Sequence, residues 1–251
     1  DLILESQACN AIVITTRHDS HGDLVARALK AGKHVFVEKP LCLNINQLNK
    51  IENTLTKNQI LMVGYNRRFA PLVKELKKQI NKISGPKAFV YLCNAGSIPL
   101  DHWTQNPEIG GGRLIGEACH FVDLLRFLSG AEIDNLELIS SKDNKLCSDT
   151  FSLQISFKDG SIGTVHYFSN GNKSFPKERL EVFAGNKIIQ LDNFRKLRAW
   201  GIKGFIKSRT FNQDKGQKDC VKEFLNCIQG KSIDPIPRSQ IFEVQRWMLK
   251  V

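Results

Sequence analysis

His120 is the side chain best suited to moving a proton near neutral pH, because an imidazole titrates there. Glu117 and Asp123 lie three positions before and after it, so on a helix either can share its face and orient the ring. The alternative is a core-edge histidine satisfied by one hydrogen bond. Lys39 stands between Glu38 and Pro40, after the apolar run His34-Val35-Phe36-Val37. Proline fixes φ and removes a donor, so a strand stops there and leaves an amine at its end. Such an amine can polarise an oxygen, or it can be a solvated strand-end lysine. Arg67 and Arg68 are adjacent, and planar guanidinium groups suit phosphate or carboxylate. A salt-bridged hinge is the other reading. Trp103 precedes Asn106-Pro107-Glu108 and the glycine run 110–112. It can stack on a bound ring or fill a core. Cys119 adjoins His120 with no base on its own side, which reads as a packed thiol. His18 and His21 are three apart, but no acid or cysteine cluster completes a site, so no metal is expected.

These residues need elements to position them. Residues 11–15 (Ala-Ile-Val-Ile-Thr) form a short β-branched run, read as a strand buried on both faces. Ser20-His21-Gly22-Asp23 resembles a helix start, followed by an apolar stripe ending at Gly32. Residues 34–37 and 60–64 give two further strands. A helix between them starts near Asn44 and buries Ile45, Leu48, Ile51 and Leu55. Strand and helix alternating with short links predict parallel βαβ units, whose ligands sit beyond the carboxyl ends of the strands. Those ends are residues 15–18, Glu38-Lys39-Pro40 and residues 65–68, and they should line one crevice.

After Pro71 the pattern changes. A short helix leads to a turn at residues 84–86, a strand at 87–93, a loop at 94–112 and a helix through Leu114 to Leu128. Phe151, Leu153, Ile155 and Phe157 then alternate with polar residues, and Asp159-Gly160 signals a hairpin. Residues 162–168, 179–184 and 187–191 continue this as an antiparallel meander. Residues 195–216 are basic, broken by glycine and not assignable, and helices near 217–229 and from 238 close the chain. The fold class is therefore α/β plus α+β. Residues 1–66 form the parallel piece, and residues 67–251 form a domain with a large open antiparallel sheet.

Composition narrows the function. Thirty-six Lys and Arg against 25 Asp and Glu give a formal charge of +11 over 251 residues, which favours acidic partners or simply a solvated basic surface. There is no nucleic-acid recognition motif and no basic–aromatic interleaving, so nucleic acid is not expected. No apolar run approaches a membrane span, and the acidic start is unlike a signal peptide. Seven cysteines without a CxxC pair suit a reducing cytoplasm.

The run Ala11-Ile-Val-Ile-Thr-Thr-x-His-x-x-His21, the stretch AGKHVFVEKPL (31–41), Val63-Gly-Tyr-Asn-Arg-Arg-Phe-Ala-Pro71 and Gly110-Gly-Gly-x5-Ala118-Cys-His-x2-Asp-Leu124 occur in that order. Together they resemble the glucose–fructose oxidoreductase/inositol dehydrogenase (Gfo/Idh/MocA) family over nearly the whole chain. The resemblance implies a Rossmann domain binding NAD or NADP and a second domain holding a sugar, sugar nucleotide or polyol. It implies hydride transfer from a secondary alcohol, with His120 taking the proton, Lys39 near the reacting hydroxyl and Glu117 tuning them. By the same resemblance Thr15, Thr16, Arg17, His21, Glu38, Lys39 and Arg68 edge the dinucleotide. Lys39, Arg67, Trp103, His120 and Asp123 meet the substrate. Two departures stand out. The chain starts where the family's fourth strand would, with no Gly-rich turn before it, so only the C-terminal half of the Rossmann sheet is expected, from a longer polypeptide. Gly116 stands where many members carry Asp, which keeps open a non-catalytic dinucleotide-binding sensor as the alternative. The apolar sheet face implies a homodimer or homotetramer.

Overall fold

The computed structural model describes residues 2–141, 147–205 and 207–251. A short helix α1 (Leu2–Glu5) precedes strand β1 (Ala11–Ile14), helix α2 (His18–Lys30), β2 (His34–Val37), α3 (Ile45–Thr54) and β3 (Leu61–Val63). The three strands are parallel in the order β1-β2-β3, with Ile14 beside Val37 and Val37 beside Val63 at their carboxyl ends. The apolar stripes of α2 and α3 bury Val25, Leu29, Leu48 and Ile51 against this sheet. Asn44 caps α3, its side chain accepting from the Gln47 amide at 2.9 Å. Ser20 is not the cap of α2. The helix begins at His18, and the Ser20 hydroxyl turns back to the Arg17 carbonyl.

A 3-10 turn (Asn66–Phe69) and α4 (Pro71–Ile80) lead into the second sheet. It contains β4 (Ala88–Asn94), β5 (Ile133–Ser140), β6 (Phe151–Phe157), β7 (Ile162–Phe168), β8 (Glu178–Ala184), β9 (Lys187–Asp192), β10 (Lys196–Trp200) and β11 (Lys207–Arg209). The strand order is β11-β10-β9-β8-β4-β7-β6-β5. This corrects the expected antiparallel meander. The sheet is mixed, because β4 inserts between β7 and β8 and runs parallel to β7. The expected hairpins hold at Gly160 (φ +83°) and at Gly185-Asn186 (φ +51° and +59°). The unassigned basic stretch supplies β10 and β11.

A π-helical turn (Leu114–Ala118) feeds α5 (Cys119–Ser129), which packs its apolar side on the second sheet. Helices α6 (Gln217–Ile228) and α7 (Arg238–Lys250) close the chain. Helix α7 returns to the first sheet. Gln245 bonds the Leu41 amide and the Cys42 carbonyl, and Arg238 donates to the carbonyls of Thr56, Lys57 and Gln59. The boundary expected at residue 66 is thus crossed by a helix from the far end of the chain.

Candidate active site

The carboxyl ends of β1 and β2 are tied together by His21. Its Nδ1 lies 2.8 Å from the Pro40 carbonyl and its Nε2 3.0 Å from that of Thr16. His21 is fully buried and orders the two strand ends from beneath. Thr15, Thr16 and Arg17 are exposed beyond β1, and Glu38 and Lys39 are half-buried beyond β2. The Lys39–Pro40 peptide is cis.

Lys39 reaches across to the second unit, where its Nζ donates to the Gly116 carbonyl at 2.8 Å. Gly116 lies in the π-helical turn one turn ahead of His120. A wider turn of this kind is a frequent mark of functional sites. A Cβ on Gly116 would stand 2.9 Å from Cε1 of His18. The His18 ring fills the place from which a side chain at 116 would reach Lys39. His18 Nδ1–H donates to the Gly110 carbonyl at 2.8 Å, and its ring meets Trp103 edge-on with centroids 4.7 Å apart. Burial lowers the His18 pKa to about 4, helped by Lys39 and His21 against the Gly110 bond, so the ring is neutral at neutral pH.

His120 is 8% exposed, and its buried Nδ1 has no hydrogen-bond partner among the described residues. Such an orphan carries a desolvation cost. Burial holds its pKa well below the ordinary value, and the charges of Arg67, Lys39, Lys215 and Lys177 push the same way. The ring is therefore a neutral proton acceptor at physiological pH. Glu117 accepts from Tyr167 Oη at 2.7 Å and from Arg113 Nε at 3.3 Å. Burial raises its pKa, but Arg113 and the Tyr167 bond outweigh that and leave it lowered. It is a fixed carboxylate anchored to β7 rather than a free orienter of His120.

Three expected contact residues turn inward. Asp123 is fully buried, and both its oxygens are taken by Arg68 at 2.7 and 2.6 Å. Arg68 also donates through Nη1 to Gln240 Oε1. Arg67 binds Glu178 with two bonds of 2.9 and 3.1 Å, and Tyr91 and Lys215 complete the shell of that carboxylate. Asp123, Arg67 and Arg68, expected at a ligand, are here engaged in internal ion pairs. The reason is geometric. The turn after β3 points both arginines beneath α5, where the carboxylates of α5 and β8 neutralise them. Trp103 is half-buried between His18 and Arg17, whose guanidinium lies 5.9 Å from its ring centre. Sequence reasoning missed His18 as a space-filler, Arg113, Tyr167 and Glu178. The Arg113/Glu117 spacing of four was a usable signal, whereas the others needed the sheet register.

Two sheets, one parallel and one large, mixed and open, define a two-domain α/β architecture. Two family models match in succession. Residues 1–65 match "Oxidoreductase family, NAD-binding Rossmann fold", and residues 89–189 match "GFO/IDH/MocA C-terminal domain". The chain belongs to the GFO/IDH/MocA family of oxidoreductases. It is 29% identical over 203 residues to myo-inositol 2-dehydrogenase of Thermotoga maritima, covering 77% of this chain and 59% of that one. It is 27% identical over 171 residues to the NAD(+) scyllo-inositol 2-dehydrogenase of Bacillus subtilis, covering 66% and 48%. The chain therefore spans about half to three-fifths of those relatives. Levoglucosan dehydrogenase, solved with NADH and levoglucosan, superposes with a TM-score of 0.84 at 21% identity, over 98% of this chain and 78% of that one. That likeness is one of fold. Among the described residues no group of three or more His, Cys, Asp or Glu is placed to hold a metal, and no helix is long and apolar enough to cross a membrane.

Proposed function

We propose that this chain carries the reacting half of an NAD- or NADP-dependent dehydrogenase that oxidises a secondary alcohol of a sugar, sugar nucleotide or polyol. The observation that carries this reading is a lysine that crosses between the two units to the Gly116 carbonyl, one helical turn ahead of His120, with its charge acting on that buried ring.

The residues present fit one end of a dinucleotide. The hydroxyls of Thr15 and Thr16 and the carboxylate of Glu38 stand at adjacent strand ends, suited to a ribose and an amide. A Cβ on Gly64 would lie 2.9 Å from that carboxylate, so the glycine lets Glu38 lie over the end of β3. Trp103 and Arg17 flank the same edge. The nicotinamide, when bound, supplies the hydride acceptor, and the protein's part is placement and charge.

His120 accepts the hydroxyl proton as the carbinol C–H leaves as hydride, giving a ketone and an imidazolium. Lys39, already donating to one carbonyl, offers its remaining N–H bonds to the alkoxide as charge develops. Glu117 holds Arg113 and Tyr167 in place and offsets the charge of Lys39.

A row of cross-strand neighbours, Ile162, Ala88, Phe183, Ile188 and Trp200, runs over five strands on the open face of the second sheet. Its large members are 36–58% exposed, which supports coverage by a second copy of the chain. The test of the reaction is reduced-nicotinamide formation with a panel of inositols, hexoses and sugar nucleotides. Turnover that His120→Asn and Lys39→Met each lower by about a hundredfold or more supports the assignment. Turnover untouched by either change overturns it.

A further inference from the structure

Strand β4 ends at Asn94, and the chain before β8 folds back over that end. The Asn94 amide donates to the Lys177 carbonyl at 2.7 Å, and its side chain donates to the carbonyls of Asn172 and Phe175. A Cβ on Gly171 would stand 1.9 Å from Asn94 Oδ1, so only glycine lets the loop lie this close to the strand. The opposite wall is fixed by Gln213, which donates to two oxygens of Asn193 at 2.9 Å each. Between these walls is a cleft of about 520 Å³. It is lined by Lys173, Lys177 and Lys215, by the amides Asn94, Asn193 and Gln213, and by no carboxylate.

The charges do not balance locally. Lys215 pairs with Glu178 at 2.6 Å, but that carboxylate already binds Arg67 through two nitrogens. Lys173 and Lys177 are exposed and pair with no carboxylate among the described residues. The cleft also adjoins the reacting centre. The Lys173 stem lies over Gly96, whose carbonyl accepts from Arg113, the partner of Glu117. The ammonium groups of Lys177 and Lys215 are felt at His120 as well. Cations in excess of their counter-charge in a cleft raise the local concentration of anions and form the stronger, charge-assisted hydrogen bonds.

We propose that the substrate carries an anionic oxygen group, a phosphate or a carboxylate, which seats between Lys173, Lys177 and Lys215 while its alcohol faces Lys39 and His120. The site narrows the dehydrogenase substrate to acidic or phosphorylated sugars; the placement of the alcohol rests on the proposed function, and the seating of the anion does not.

Anion binding is measured on the 251-residue chain by calorimetric titration without dinucleotide, so a failure of the dehydrogenase reading leaves it untouched. The probes are a hexose 6-phosphate, a nucleoside diphosphate, a hexuronate and the neutral hexose. At least one anion should bind tenfold or more tightly than the neutral sugar, and the arm that does so identifies the source of the charge. The Lys173→Ala/Lys177→Ala double variant should lose at least tenfold of that affinity, and Lys57→Ala should lose none. Both cleft lysines are exposed, and a thermal melt matching the parent confirms that folding is intact. Equal binding of charged and neutral sugars overturns the proposal, as does full anion affinity in the double variant.

Discussion

At the scale of single residues, the site turns on what occupies the space around Lys39. An acid at position 116 would have to displace the His18 ring, since even a Cβ there is 2.9 Å from it. The Gly116 carbonyl meets the amine instead. Gly116→Asp should therefore destabilise the fold by about 1–3 kcal/mol, the usual cost of forced overpacking. His18→Ala should recover much of that loss in the double variant, a non-additivity visible in denaturant melts. Additive losses would mean the two positions do not share this space. Lys39 and His120 were legible as candidates because their residue types are chemically conspicuous and their flanking motifs distinctive. Asp123, Arg67 and Arg68 were equally conspicuous, yet Arg68 pairs with Asp123 and Arg67 with Glu178 inside the protein. Charge type in a sequence does not say whether its partner is a ligand or the protein.

At the scale of elements, the first unit was readable because each strand is a short apolar run and each helix a periodic stripe. In the second unit the alternation of β6 and the turn at Gly160 were visible, but the insertion of β4 between β7 and β8 was not. Periodicity tells which face of a strand is buried and says nothing of which strand lies beside it. Residues 195–216 were unreadable because a five-residue strand and the three-residue edge strand beside it, separated by glycines, carry almost no pattern. The junction before α6 gives a sharper test. Gly216 has φ +83°, and a Cβ there would lie 2.4–2.6 Å from backbone atoms of Asn66, Ala70 and Phe69. Gly216→Ala should cost about 2 kcal/mol or more, since both the dihedral and the contact are unfavourable. The midpoint of urea unfolding measures it, and an unchanged midpoint would contradict the close docking of α6 on the turn after β3.

At the scale of the whole molecule, the buried ion-pair cluster around Glu178 makes stability depend on pH. Burial alone would push the Glu178 carboxyl up, but Arg67 and Lys215 outweigh it and hold it at about 2. Its ordinary value is 4.5, so the unfolded chain takes up a proton before the folded one does. The contribution, about 3 kcal/mol, is full above pH 4.5 and drains away as the pH falls toward 2. Glu178→Gln should flatten that part of the stability profile while lowering stability at neutral pH. The open sheet face supplies a second test. Phe183→Asp, placed in the exposed apolar row, should shift sedimentation toward the monomer with little change in the thermal midpoint. A parent chain that sediments as a monomer at every concentration would contradict coverage by a second copy.

The claim on which the rest depends is that Lys39 and His120 serve one cavity. Its most direct measurement is the titration of the His120 ring by nitrogen-detected NMR, in the parent and in Lys39→Met. The account predicts a ring that stays neutral well below the ordinary histidine range, because of burial and then of the nearby cations, and that becomes easier to protonate once the lysine charge is gone. A His120 titration unmoved by the loss of Lys39 would mean that the amine and the imidazole do not share a site.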